Sequence, residues 1–269
     1  MKIAVLHPGE MGVSVAASLQ QSGHEVDWVA DGRSNATVVR AEPFNRLESL
    51  AALAGNVAAV LSVCPPGEAL AQAQAVAEAG FTGLYVDANA VSPETAERVA
   101  DIYGTDYVDG GIIGPPAKRP GSTRLYLSGT RASEVAGLFT DSPLEAIAFS
   151  ENNTSASVLK MAYAAYTKGS SALLLLVNAM AEQAGVRQTL NAEWAISQPG
   201  LEERSANTAR GTSRKAWRFE GEMEEIARTF RSFGLPGEFH DGAAQLYSRM
   251  AGLKDLPASD LEEVMAAIT

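Results

Sequence analysis

The first half of the chain alternates brief apolar runs with longer amphipathic stretches. Residues 3–6, 26–29, 58–63, 83–86 and 107–108 are short, rich in β-branched or aromatic side chains, and bounded by Gly, Pro, Asp or Asn, so they predict strands. Between them the spacing predicts helices over 11–21, 47–53, 68–78 and 93–102. The last has the clearest start, with Ser92 as N-cap, Pro93 at the first helical position and Glu94 in the first turn. Two more strands, 125–127 and 146–149, flank a helix near 132–138. Strands alternating with helices of this length predict parallel βαβ units in a doubly wound sheet covered on both faces.

The pattern changes after about residue 150. From 154 to 184 there is no Pro and one Gly, Gly169, among Ala, Leu, Met, Lys and β-branched residues at helical spacing. At 1.5 Å per residue this makes a helix of about 45 Å, long enough to run between two domains. Helical patterns follow over 191–197, 214–233, 237–252 and 258–268, without a strand. The expectation is an α/β domain over residues 1–150 and an all-α domain over 151–269, joined by a long interdomain helix.

Composition narrows the class. The chain has 269 residues, 46% apolar and 20% charged, which is average for a folded globular protein. Lys plus Arg number 21 against 32 Asp plus Glu, a formal charge of -11, so the summed field repels phosphate backbones and argues against a nucleic-acid partner. One cysteine, Cys64, and three scattered histidines offer neither a disulfide framework nor zinc-ligand spacing, which fits a reducing, cytoplasmic setting and no metal. The apolar start ends at Pro8-Gly9, too short for a signal-peptide core. The apolar stretch 172–180 falls below the roughly 20 residues a membrane span needs, so no membrane role is expected.

Directly after the first strand comes His7-Pro8-Gly9-Glu10-Met11-Gly12 and then a helix. This is the place for a dinucleotide fingerprint, where a tight turn lets backbone approach a pyrophosphate and the helix N-terminus faces its charge. Two of the three glycines are present, Gly9 and Gly12, with His7 at the first position. About 20 residues further on, where the ribose is read, stands Asp31-Gly32-Arg33-Ser34. Asp31 could accept from a free 2′-hydroxyl, whereas Arg33 with Ser34 could fork onto a 2′-phosphate. The adjacent Arg and Ser at a loop tip favour NADP (NADPH) over NAD.

Several motifs in the same order resemble the β-hydroxyacid dehydrogenase superfamily, which includes 6-phosphogluconate and 3-hydroxyisobutyrate dehydrogenases and has the imine reductases as relatives. They are Pro8-Gly9-Glu10-Met11-Gly12, Ser62-Val63-Cys64-Pro65-Pro66, Val86-Asp87-Ala88-Asn89-Ala90 and Val108-Asp109-Gly110-Gly111-Ile112-Ile113-Gly114. The chain looks most like a branch labelled 6-phosphogluconate-dehydrogenase-like with an uncharacterised C-terminal domain. The resemblance spans the whole chain and implies a Rossmann-type NADP-binding domain, a helical substrate and dimerisation domain, and a cleft between them. It also implies a proton-transferring lysine on the long helix, here Lys160 in Ser157-Val158-Leu159-Lys160-Met161. Such a lysine would exchange a proton with the substrate oxygen as hydride reaches or leaves its carbon.

The resemblance implies further site residues. Gly9, Glu10, Met11 and Gly12 would hold the pyrophosphate, Arg33 and Ser34 the 2′-phosphate, and Cys64, Pro65, Pro66 and Asn89 the nicotinamide side. Gly114, Tyr163, Thr167 and His240 would border the substrate. The sequence also departs from the family. Its Ser-Gly-Gly carboxylate-binding segment is replaced by Ile113-Gly114-Pro115, and Ala164 stands where the family carries an asparagine one turn beyond the lysine. Lys118 and Arg119 could attract an anionic substrate or form a solvated loop, and His240-Asp241 could orient a substrate or cap a helix. The expected function is NADP-dependent carbonyl or alcohol oxidoreduction. An imine reductase and a non-catalytic NADP-binding protein are the alternatives. Small residues on the long helix, followed by Leu173 to Leu176, leave it apolar on nearly all sides and predict a partner subunit in a homodimer.

Overall fold

A computed structural model describes residues 1–269 as two compact units, Met1–Met161 and Ala162–Thr269. The first is built on one eight-stranded sheet: β1 (Lys2–Leu6), β2 (Glu25–Val29), β3 (Asn45–Leu47), β4 (Ala59–Ser62), β5 (Leu84–Asp87), β6 (Tyr107–Ile113), β7 (Thr123–Ser128) and β8 (Leu144–Ser150). Its order is β3-β2-β1-β4-β5-β6-β7-β8, and every pairing is parallel except β6 with β7. The strand order reverses beside β1, the position at which doubly wound sheets open a crevice at their carboxyl edge.

Helices α1 (Glu10–Gln21), α2 (Asn35–Ala41), α3 (Ala69–Glu78), α4 (Pro93–Tyr103) and α5 (Ala132–Gly137) cover the sheet. Alternate strand residues serve opposite faces, as the two-residue period requires. Ile3, Val5, Ala59, Leu61, Leu84 and Val86 pack with Val15, Leu19 and Val135, whereas Ala4, Leu6, Val60 and Tyr85 pack with Val76 and Val99. Burial on both faces explains why these strands read as continuous apolar runs.

Three segments of this unit depart from the sequence reading. Residues 47–53, expected to be helical, contain the end of β3 and then a 3-10 turn, Leu50–Leu53, of which only Leu53 is fully buried. The short edge strand β3 carries Asn45-Arg46-Leu47, whose polar pattern gives little strand signal. Helix α2 starts where a loop tip is expected, because the Ser34 hydroxyl accepts from the Thr37 backbone N–H and caps it.

Helix α6 (Ser155–Gln183) begins in the first unit and ends in the second, with 29 residues. The second unit continues with α7 (Arg187–Ser197), α8 (Leu201–Thr212), α9 (Ala216–Ser232), α10 (Glu238–Arg249) and α11 (Leu261–Ile268). Helix α8 escapes the sequence reading because it is strongly polar, burying only Ser205, Ala209 and Thr212. Met223, Ile226 and Ala227 of α9, Leu246 and Tyr247 of α10, and Val264 and Ile268 of α11 are buried core residues of this unit. A reciprocal capping box between Asp260 and Glu263 starts α11. No helix is long and apolar enough to cross a membrane.

Candidate functional site

The turn after β1 has the geometry of a dinucleotide cradle despite its missing glycine. His7 adopts a left-handed backbone, φ 58°, the conformation a glycine would supply at low cost. Gly12 is sterically fixed, since a Cβ there would stand 2.4 Å from the His7 carbonyl oxygen. Gly9 is the N-cap of α1, and no side chain caps this helix, so N–H groups of its first turn lack a side-chain acceptor. Ser34 and Ser92 cap α2 and α4 with their own hydroxyls.

His7 also marks this turn electrostatically. Its ring lies mostly buried, and Nε2 stands 3.5 Å from Glu68 Oε2, whereas Nδ1 is buried without a partner. Burial and then the Arg33 charge lower its pKa to about 4, so the imidazole is neutral at neutral pH. Arg33 Nε donates to the Asp31 carbonyl at 3.2 Å, Arg33 is half-buried, and Asp31 is exposed. The fit to a pyrophosphate therefore rests on an uncapped helix end, a steric demand for Gly12 and a nearby cation.

The carboxyl ends of β4 and β5 are tied together. Asn89 is buried, its Oδ1 accepting from the Cys64 backbone N–H and its Nδ2 donating to Ser62 Oγ at 3.1 Å. Its own backbone N–H donates to Asp87 Oδ1 at 3.0 Å. Asn89 thus holds the two strand ends in place. The Cys64 thiol is pushed up to about 12 by burial and then by Asp87, so it is a packed thiol and no nucleophile. Pro65 and Pro66 carry the chain away from this point into a short 3-10 turn before α3.

Helix α6 packs closely on β6. Lys160, half-buried, donates from Nζ to the Ile112 carbonyl oxygen at 2.7 Å. Helix and strand approach closely at Gly111, where a Cβ would lie 2.9 Å from the Ala156 carbonyl oxygen and 3.0 Å from Lys160 Cβ. Asp109, fully buried two residues earlier, accepts from the Ser157 backbone N–H at 2.7 Å and from the Ser157 hydroxyl at 2.6 Å. Ser128 Oγ donates to Asp109 at 3.3 Å and accepts from the Ala156 backbone N–H at 2.9 Å. Burial raises the Asp109 carboxyl to about 6, against the pull of the Ser157 and Ser128 hydrogen bonds.

Gly114 follows β6 at φ 129°, and a Cβ there would stand 2.4 Å from the Ser122 carbonyl oxygen, so no other residue fits without rearrangement. Lys118 and Arg119 beyond it are exposed. Tyr163, Thr167 and His240 belong to the second unit. Tyr163 is largely exposed, and the Thr167 hydroxyl donates to the Tyr163 carbonyl at 3.1 Å. His240 is buried at the start of α10 with ring centroids of Phe230 and Phe239 at 4.3 and 5.2 Å, and its Nδ1 has no partner. Burial lowers its pKa.

Sequence reasoning placed no role on Asp109, Gly111, Ser128 or Ser157. The signal available was Asp109-Gly110-Gly111 inside an otherwise apolar strand, where a buried carboxylate and two residues without side chains both need a structural partner.

Comparison with known proteins agrees with this architecture. A conserved hypothetical protein from Sinorhizobium meliloti matches at a TM-score of 0.69 and 25% identity, over 100% of this chain and 95% of its own. A Mycobacterium tuberculosis 3-hydroxyisobutyrate dehydrogenase, solved with L-serine, matches at 0.69 and 16% identity over 98% of both chains. The fold is that of the 3-hydroxyisobutyrate dehydrogenases. An Aspergillus terreus reductive aminase, solved with NADPH and ethyl levulinate, shares it at a TM-score of 0.57 and 17% identity, over 100% of this chain and 99% of its own. Residues 181–250, within the helical unit of this dehydrogenase-like fold, match a domain of unknown function, DUF1932. No curated protein sequence matches the chain. The Rossmann-type sheet and helical C-terminal region expected from the sequence are thus borne out.

Proposed function

We propose that this chain is an NADP-dependent oxidoreductase that moves hydride between a nicotinamide and a carbonyl or alcohol carbon, with Lys160 as general acid and base. The observation that carries this reading is the fixing of Lys160 at the β6–α6 junction: a half-buried ammonium, held at the Ile112 carbonyl beside a glycine that admits the helix, is an unusual expense for a lysine with no chemical task. Gly9, Glu10, Met11 and Gly12 would bind the pyrophosphate through the uncapped end of α1. Arg33 would bind a 2′-phosphate, with Ser34 ending its turn as the cap of α2. The bound cofactor supplies the hydride; Lys160 gives or takes the accompanying proton.

Reductive amination on this fold in the Aspergillus relative makes imine reduction the second reading. It is favoured by Ile113-Gly114-Pro115, which offers no hydroxyl to a substrate carboxylate. Turnover of cyclic imines and not of 3-hydroxy acids would select it. Lys160→Ala should lower kcat on whichever panel is turned over by about 100-fold or more, while fluorescence titration with NADPH gives an unchanged affinity. A variant retaining full kcat would remove Lys160 from the chemistry; a wild-type chain that binds NADPH and turns over neither panel would favour a non-catalytic NADP-binding protein.

A second copy of the chain is part of this proposal. Tyr163, Tyr166, Leu173, Leu176 and Met180 recur on one face of α6 with exposures of 47%, 71%, 50%, 43% and 63%. Light scattering at micromolar concentration should report a dimer, and a monomer would count against it.

A further inference from the structure

Burying a carboxylate costs free energy unless hydrogen bonds or an opposite charge compensate it, and Asp109 is fully buried on β6. Its two oxygens take the backbone N–H and hydroxyl of Ser157, and the Ser128 hydroxyl, which donates to Asp109, takes the N–H of Ala156. Together they occupy N–H groups of the first turn of α6 that the helix itself leaves without acceptors. A negative charge at this point is also favoured by the helix dipole. Lys160 lies one turn further along α6, and its Nζ meets Ile112, three residues beyond Asp109 on the same strand. Two ties therefore cross from β6 to α6, separated by Gly111, whose missing Cβ lets the elements meet.

We propose that Asp109 is a positioning residue whose ionised carboxylate fastens the first turn of α6 to β6 and so sets the place of the Lys160 ammonium, a latch that mild acid releases. The inference rests on the reading of Lys160 as the proton-transferring group, but the latch itself is measurable without turnover. Charge-assisted bonds to the ionised form are about twice as strong as neutral ones, so protonation loosens the turn without dissolving it. The groups that face Asp109 are few. Asp87 stands in register on β5, Ser128 in register on β7, Tyr107 two residues away on β6, and Ser157 and Lys160 on α6. Tyr107 stays protonated, since burial and then Asp109 hold its phenol well above the usual range. The Asp109 carboxyl is raised to about 6 by burial, so its charge changes under mild acid, and Asp109→Asn separates its titration from that of the neighbouring Asp87.

The test follows two nuclei in the full-length protein by NMR from about pH 4.5 to 8, a range centred on that titration. One is the Ser157 amide, and the other is the 13C-methyl signal of reductively methylated Lys160, assigned by its loss in Lys160→Arg. Both should move with one midpoint near 6. In Asp109→Asn neither should show that inflection. Ser157→Ala, which keeps the amide and removes one donor to the carboxylate, should shift the midpoint upward by about half a unit or more, because a donor to the ionised form is lost. A Lys160 signal that ignores this titration, an inflection that survives in Asp109→Asn, or an unmoved midpoint in Ser157→Ala would overturn the latch. Failure of the catalytic reading looks different: Lys160→Ala then keeps full turnover while the two signals still titrate together. In an enzyme with the latch, kcat should fall through the same midpoint while KM for NADPH holds, and Asp109→Asn should lose that limb of the profile.

Discussion

Two helix starts of the first unit, α1 after β1 and α6 where it packs on β6, solve the same problem in opposite ways. After β1 the chain enters α1 through Gly9 with no side chain on the helix end, whereas α6 begins with its N–H groups taken by Asp109 and Ser128. Glycine is demanded at both, Gly12 by the His7 carbonyl and Gly111 by Ala156 and Lys160. The start of α1 has no side-chain cap, so its positive end would be available to an anion from outside; the start of α6 is filled by an internal carboxylate beside a lysine held on β6. Under the proposed reading the open helix end binds and the filled one positions, and the two glycines sit in different settings, Gly12 in a helix's first turn and Gly111 inside β6.

The comparison breaks most severely at Gly12. A methyl group at this position would sit 2.4 Å from backbone and cannot be accommodated by a side-chain rotation, so the turn must move. Gly12→Ala is expected to weaken NADPH binding by about 100-fold or more, the scale of about 3 kcal/mol, in a fluorescence titration, with a normal far-UV circular dichroism spectrum. Retained affinity would show that the β1–α1 turn is an ordinary connection.

Much of this was legible in the sequence, and the remainder was hidden for identifiable reasons. Seven of the eight strands announce themselves by short apolar or β-branched runs, continuous where both faces are buried as in β1, β4 and β5, while β3 is three residues long with two of them polar or charged. Helix α8 is helical for reasons of neighbourhood, its exposed face being Glu, Arg and Asn. The glycine turn and Lys160 were visible because residue type alone marks them. Asp109 was not assigned a role, since its partners Ser128 and Ser157 lie 19 and 48 residues away. Side-chain pairing across such separations leaves no local pattern. Asn89 illustrates the reverse: it stood out as a cofactor neighbour, and its amide joins β4 to β5.

A milder change sharpens the open junction. Arg33 acts electrostatically on His7 in the turn, and under the proposed reading the exposed Asp31 beside it would be the competing reader of the ribose. Arg33→Ala should weaken NADPH binding about 10- to 50-fold, comparable to one charge-assisted pair of about 1.5–3 kcal/mol, and leave NADH nearly unchanged. Equal losses for both dinucleotides would assign Arg33 to the turn itself, with Asp31 then the residue to examine for ribose contact.

The smallest effect distinguishes the junctions through stability alone. His7 at the open end has its pKa lowered to about 4 from 6.5, and Asp109 at the filled end has its pKa raised to about 6 from 3.8. Between those values the unfolded chain binds more protons at His7 than the native state does, so this group makes stability rise with pH. At Asp109 the native state binds more protons than the unfolded chain, so stability falls with pH over nearly the same interval. Each group acting alone would give a slope of at most about 1.4 kcal/mol per pH unit, and together they largely cancel. Urea denaturation between about pH 4 and 6 should therefore show little net slope from these two sites in the wild type. His7→Asn, which tolerates the left-handed backbone, should uncover a stability that falls as pH rises, and Asp109→Asn one that rises. Parallel slopes in the two variants would mean that the two helix starts do not carry opposite electrostatic costs.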